Sequence, residues 1–255
     1  MRLMPYTILL EHGCDICINM EIPKIIHQIW SDFFHPLPDC FKELSQTWKH
    51  DYPEWKYEFW DDNRMNQFVI NNYPQYWEFY NRFPYDIQRW DAIRYLILDK
   101  MGGMYVDFDY ESIKPLDQLL EDKRCCFAAE PEHTYSFFDK NVMFNNALML
   151  SVPEHPFIQN IIHSVFCERT LNYPVLPKDR CVLNTTGPFL LIDLYNNLPV
   201  SEKSDVYLVP AKFVTPFDGN QAKLARAGVE NSELETCLED AYAVHYFIGN
   251  WKNEV

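Results

Sequence analysis

Residues 85–109 constrain this chain more than any other stretch. A helix is expected over 85–100, opened by Pro84 and closed by Gly102 just past its end, the usual asymmetry of helix signals. It hands over to Gly102-Gly103-Met104-Tyr105-Val106-Asp107-Phe108-Asp109, a strand-like run ending in two carboxylates one residue apart. In an extended strand successive side chains alternate faces, so Asp107 and Asp109 are expected to point the same way. Two like charges that close repel unless something cationic sits between them. Hard carboxylate oxygens suit Mg²⁺ or Mn²⁺, and those ions bridge phosphates. A bare Asp-x-Asp is weak by itself, so its surroundings decide.

The preceding helix supplies those surroundings. At about 100° per residue, Ile87, Trp90, Ile93, Ile97 and Leu98 fall on one side, and Gln88, Arg89, Asp99 and Lys100 on the other. Asp91 and Arg94 lie within the apolar half. Burying two charges costs several kcal/mol each unless they are paired or bound to a ligand. Two readings follow: a structural Asp–Arg pair that bonds only to itself, or a face lining a cleft, with Arg94 aimed at phosphate or sugar and Asp91 at hydroxyls.

The 255 residues suffice for one large α/β domain. A net charge of −15 with no long basic run argues against nucleic acid as partner. It leaves room for an anionic small ligand, because a metal and one or two arginines invert the field inside a cleft. Seven Trp, 16 Tyr and 18 Phe provide a bulky core or, for some rings, platforms for sugar-like ligands. The eight cysteines include one Cys-x-x-Cys, Cys14 to Cys17, without a second pair to complete a zinc site. Their scatter fits free thiols in a reducing compartment. No stretch approaches the ~20 apolar residues of a membrane span. A soluble, cytoplasmic protein is expected, with peripheral contact at the inner face of the membrane compatible with it.

Residues 1–20 read as a poorly specified leader and 21–255 as one domain. Strands are expected at 22–30, 55–60, 125–129, 145–150, 206–210 and 241–246. Helices are expected at 38–50, 115–120, 157–168 and 189–196, with a helical insertion at about 61–84 entered through an N-cap at Asp61-Asp62-Asn63. Alternation of this kind gives a mostly parallel sheet flanked by helices. Ligands then sit at the carboxyl ends of the strands, where Trp30, Asp107 and Asp109 fall.

Four blocks together resemble glycosyltransferase family 32, the sugar transferases containing a DXD motif. They are Ile22-Pro23-Lys24-Ile25-Ile26-His27-Gln28-Ile29-Trp30; Asp91-Ala92-Ile93-Arg94-Tyr95 running on to Asp109; Asn146-Ala147 with His155-Pro156 and Thr186-Gly187-Pro188; and His245 with Asn250-Trp251. The resemblance covers roughly residues 22–251. It implies a GT-A-type nucleotide-sugar-binding fold and a metal-dependent, retaining transfer of a hexose to a glycan acceptor, lipid-linked or not, in surface polysaccharide or oligosaccharide synthesis. UDP-galactose or UDP-glucose is the favoured donor, with GDP-mannose behind.

By the same resemblance Trp30 borders the nucleotide base, and Asp91 and Arg94 hold the donor sugar and its phosphate. Gly103 belongs to the cofactor-binding block. Asp107 touches ribose or sugar and helps hold the metal, Asp109 ligates Mn²⁺ or Mg²⁺ directly, and His245 completes that site. Asn146 sits near the anomeric carbon, making Asp91, Arg94 and Asn146 the catalytic candidates. Trp251 caps the diphosphate beside Asn250, which stands where the family usually has Ser. Taken singly, Trp30 and His245 could equally be core residues, and Asn146 could bond to backbone at a strand edge. Rival readings are a non-catalytic nucleotide-sugar or glycan-binding protein and an Asp-x-Asp phosphatase. The phosphatase pattern places Thr or Val two residues beyond the second Asp, where this chain has Glu111.

Overall fold

A computed structural model of the chain describes residues 21–32, 35–138, 140–173 and 177–249. The leader at 1–20, the Cys14/Cys17 pair, Asn250 and Trp251 lie outside the described residues. Strand β1 (Ile25–Ile29) is followed by helix α1 (Asp39–Asp51), strand β2 (Lys56–Trp60), helix α2 (Asp62–Asn72), helix α3 (Trp77–Arg82) and helix α4 (Asp86–Met101). Strands β3 (Gly103–Val106), β4 (Tyr110–Ser112), β5 (Cys125–Ala129), β6 (Phe144–Ser151), β7 (Val206–Val209) and β8 (Ala243–His245) come next, with short helices between the later ones.

Six strands form one sheet in the order β2-β1-β3-β6-β5-β7. Its pairings are parallel except for those on either side of β6, so five strands run one way and β6 runs against them. Strands β3, β5 and β6 are buried along their whole length, as expected where both faces of a sheet are covered. Alternation then decides which core each residue joins. Tyr105, Phe127 and Met149 pack with α4 on one face. Met104, Val106, Ala128 and Leu148 pack with Trp48 of α1 and Tyr52 just beyond it on the other. A two-stranded ribbon of β4 and β8 completes that second face.

Three expectations need correction. The helical stretch from Asp61 breaks at Tyr73, because Pro74 has no N–H to continue the ladder; a 3-10 turn, Pro74–Tyr76, leads into α3. Helix α4 has no polar side of the kind read from its sequence. Eleven of its 16 residues are buried, Gln88 and Asp99 included, because it packs between the sheet and several other helices. Gln88 donates to Thr185 Oγ1 (2.8 Å), and Tyr73 Oη donates to Asp99 Oδ2 (2.6 Å). Finally, the strand does not run on through both aspartates. It ends at Val106, and Tyr110 N–H donates to Asp107 C=O (3.2 Å), closing a turn that contains Phe108 and Asp109.

The passage from α4 into β3 depends on two glycines. Gly102 and Gly103 have φ of +62° and +96°, which side chains rarely adopt. A Cβ on Gly103 would lie 2.6 Å from Ile25 C=O, and one on Gly102 would lie 2.7 Å from Pro153 Cδ. His27 locks the junction from β1. The indole of Trp60 can only donate, so His27 Nδ1 accepts from it (3.2 Å) and Nε2–H donates to Gly102 C=O (3.0 Å). Replacing Gly103 with Ala is expected to cost more than about 2 kcal/mol in denaturant unfolding, since both conformation and space oppose it.

His27 also makes stability depend on pH. Burial pulls its pKa down from 6.5 to about 4, against the carbonyl of Gly102 and the charge of Glu58. The unfolded chain therefore takes up a proton near pH 6.5 while the folded chain refuses it until about pH 4. This contribution is intact above pH 6.5 and lost as pH falls through that window. Unfolding at pH 7.5 and pH 5 should show wild type losing about 2 kcal/mol more than His27→Gln.

Candidate active site

The site assembles on the carboxyl rim of the sheet. Trp30 follows the end of β1, Asp107 follows β3, and Glu130 follows β5. Because β6 runs the other way, its opening residues Asn145 and Asn146 reach the same rim. Between β5 and β6 the register slips: Phe127 pairs with Met149, but Ala129 pairs with Phe144. The surplus residues on β6 form a bulge that frees Asn145 and Asn146 from the β5 ladder and re-aims their side chains.

Arg94 connects the parts on the α4 side. Its Nη2 stands 3.2 Å from Asp91 Oδ1, and its Nη1 donates to Asn146 C=O (3.0 Å) and to Asp107 Oδ1 (3.3 Å). Nε donates back to Trp90 C=O (3.1 Å), and the guanidinium lies 4.6 Å above the ring of Tyr105. Asp91 in turn accepts from Asn146 Nδ2 (2.9 Å) and from Thr186 Oγ1 (2.8 Å). The side chains of Asp91 and Arg94 are each only 6% exposed. The pair is thus neither isolated nor open to the cleft: Arg94 braces Asp107 from behind, and Asp91 holds Arg94 and Asn146. Both amide hydrogens of Asn146 are used, by Asp91 and by Tyr95 Oη (2.8 Å), while its Oδ1 carries no bond among the described residues.

Asp107, 31% exposed at its side chain, takes its bonds on Oδ1, from Arg94 and from the Tyr105 hydroxyl. Burial keeps Tyr105 protonated far above neutral pH, so it remains a donor. Asp109 belongs to the other face. Its Oδ2 accepts from Ile248 N–H (2.8 Å), and its Oδ1 lies 3.4 Å from His245 Nε2. Burial opposes its ionisation, but His245 and the Ile248 amide overcome that and hold its pKa below the usual carboxylate range. Burial also opposes protonation of His245; the charge of Asp109, with Glu130 and Asp107 behind it, raises its pKa all the same. The imidazole stacks on Tyr110 at 4.4 Å, and its buried Nδ1 has no partner among the described residues.

The donor set suits a hard divalent cation. Two carboxylates stand on the turn, and an imidazole stands against one of them. Among the described residues no three His, Cys, Asp or Glu side chains already stand together as a complete metal cage. An ion held at the turn would complete its shell with phosphate and water.

Trp30 is half-buried. Its indole donates to His35 C=O (3.0 Å), and its ring meets Phe41 and Phe108 edge-on at 5.5 and 6.2 Å. Gly103 sits at the amino end of β3, away from the rim, packed under β1, so its constraint is steric. Sequence reasoning passed over Tyr105, Tyr95 and Glu130. Tyr105 was detectable, since it lies two residues before Asp107 on a strand and so on the same face as far as the strand runs.

Residues 38–126 match a family model described as a glycosyltransferase sugar-binding region containing a DXD motif. An uncharacterized glycosyltransferase of Acanthamoeba polyphaga mimivirus is 30% identical, over 76% of this chain and 73% of its own length. Inositol phosphoceramide mannosyltransferase 2 of Schizosaccharomyces pombe is 31% identical over 74% of this chain. The chain spans about half the length of such relatives: 50% of that protein and 56% of inositol phosphoceramide mannosyltransferase 1. Among solved structures, PaToxG glycosyltransferase superposes with a TM-score of 0.52 at 15% identity, covering 85% of this chain and 78% of its own, a likeness of fold.

Removing the brace should be costly. Arg94→Met leaves Asp91 buried without its cation, and about 3–5 kcal/mol of stability should be lost in denaturant unfolding. Tyr105→Phe leaves the charge pair in place, so it should cost only about 1 kcal/mol while loosening Asp107.

Proposed function

The chain belongs to the family of glycosyltransferases whose sugar-binding region contains a DXD motif, and from that premise we propose that it transfers a hexose from a nucleoside-diphosphate sugar to a hydroxyl of a glycan or glycolipid. One observation carries this reading. Asp107 and Asp109 lie on a single turn at the carboxyl rim, each held by its own set of partners, Arg94 and Tyr105 for one and Ile248 and His245 for the other. A site held this way needs little rearrangement when charge develops on a leaving diphosphate.

Mannose is the hexose we favour, from GDP-mannose, because several relatives are named for mannosyl transfer. This moves the weight away from the UDP-hexoses that the resemblance alone preferred. The acceptor reading follows the inositol phosphoceramide name among these, which points to a hydroxyl on an inositol-containing lipid. Among the described residues no helix is long and apolar enough to cross a membrane.

Asp109, with Asp107 and His245, would hold Mn²⁺ or Mg²⁺, which supplies positive charge to the diphosphate oxygens when bound. The chain's own part is positional. Arg94 and Tyr105 set the Asp107 carboxylate toward the donor. Asp91 and Tyr95 take both amide hydrogens of Asn146, which leaves its amide oxygen for a sugar hydroxyl. Trp30, beside Phe41 and Phe108, offers an aromatic edge for the base. Transfer with retention proceeds by front-face attack, the donor phosphate taking the acceptor's proton, and no side chain need act as nucleophile.

Release of nucleoside diphosphate from GDP-mannose, UDP-glucose and UDP-galactose, with Mn²⁺ and with EDTA, tests this directly. Metal-dependent release from one donor, reduced roughly 100-fold or more in Asp109→Asn, is the expected result. Full metal-dependent turnover by that variant would remove Asp109 from the site.

A further inference from the structure

Glu130 stands on the same rim without a role in the arrangement above. It follows β5, and its N–H donates to Met143 C=O (2.9 Å), which fixes its backbone beside the bulge of β6. Its carboxylate accepts one bond among the described residues, from Asn145 Nδ2 to Oε1 (3.2 Å). Asn145 cannot turn away, because its own Oδ1 accepts from Ala147 N–H (3.1 Å). The partner amide is therefore preset, and Oε2 is left over.

The more deeply buried carboxylates of the site are already engaged: Asp91 has Arg94, Asn146 and Thr186, and Asp109 has His245 and Ile248 N–H. Glu58, at the β2 edge, has both Lys56 and Arg64. Asp99 has Tyr73 as its side-chain partner and a buried, unpaired Oδ1, but it lies near the carboxyl end of α4, by the amino end of β3 and away from the rim. Glu130 is only half-buried, so Oε2 is reached by solvent on the rim and is open to a ligand hydroxyl that enters there.

The surroundings say what that donor is. Glu130 follows β5 on the rim that also carries Asp109, and it is near enough to His245 for their charges to interact. A diphosphate there would be repelled by it. A neutral group rich in O–H donors would be attracted. Along the rim, aromatic rings of Trp30, Phe41 and Phe108 flank the β1 end, and Glu130 stands across β3 and β6 from them, at the end left to the sugar.

We propose that Glu130, held by Asn145, accepts a hydrogen bond from one hydroxyl of the donor hexose and so helps to select it. The inference rests on the nucleotide-sugar reading of the site. It is tested with Glu130→Gln, which keeps size and the bond from Asn145 but removes the charge, and with Glu130→Ala. Binding of GDP and of GDP-mannose with Mn²⁺ is measured for each protein, using the matching UDP pair if the donor panel selects a UDP-hexose. The four monodeoxy versions of the sugar are then compared.

Wild type should bind one deoxy donor about tenfold or more weaker than the parent. Both variants should bind the parent sugar weaker by a similar factor, keep GDP affinity within about twofold, and no longer distinguish that deoxy donor from the parent. Unchanged discrimination in the variants would overturn the proposal. So would an equal loss of GDP and GDP-mannose binding, which would mark Glu130 as a purely structural acid. If wild type itself binds no nucleotide-sugar, the functional reading fails instead.

Discussion

A buried guanidinium is the piece on which the rest of this site depends. Arg94 is surrounded by Asp91, Asp107, the Asn146 carbonyl and the face of Tyr105. A charge taken out of water is tolerable only with excellent geometry and with its remaining donors satisfied. Meeting that demand forces helix α4, strand β3 and the bulge of β6 into one arrangement. The rim is consequently held by buried side chains on its α4 side, where no loop has to order before Asp107 is in place.

The other side is built differently. Asp109 is held by the C-terminal segment, through His245 on β8 and the Ile248 amide beyond it, with Tyr246 N–H donating to Asp109 C=O (2.9 Å). Phe247 between them has φ of +49°, a conformation a bulky residue adopts only when its neighbours hold it there. The two aspartates of one short motif thus answer to distant parts of the chain, α4 for Asp107 and residues 245–248 for Asp109. This division is what the turn after Val106 accomplishes and a continued strand could not.

Much of this was legible residue by residue. Helix α4, its closing glycine and the buried position of Asp91 and Arg94 follow from 3.6-residue periodicity and from the φ freedom that Gly102 supplies. The central strands were visible as short apolar runs, and their order along the chain implied a mostly parallel sheet. The errors have physical causes. Gln88 and Asp99 were placed outside because a helical wheel knows one buried face, whereas α4 is covered on nearly all sides. Glu130 was overlooked because an acid after a strand carries no local signal, and only the bulge of β6 makes it a member of the site.

The sequence by itself determined the central strands, helix α4, the family and the clustering of chemistry near Asp91–Asp109, because periodicity, turn residues and motif spacing are properties of neighbours along the chain. Only the tertiary structure decided that Arg94 braces Asp107 instead of reaching into the cleft, that Asp107 and Asp109 lie on a turn, and that Asn145, Asn146 and Glu130 share their rim. Those outcomes depend on which charges are withdrawn from water together. Desolvation is a property of the packed molecule, and a partner 55 residues away competes on equal terms with a near neighbour in the chain, as the bond from Asn146 to Asp91 shows.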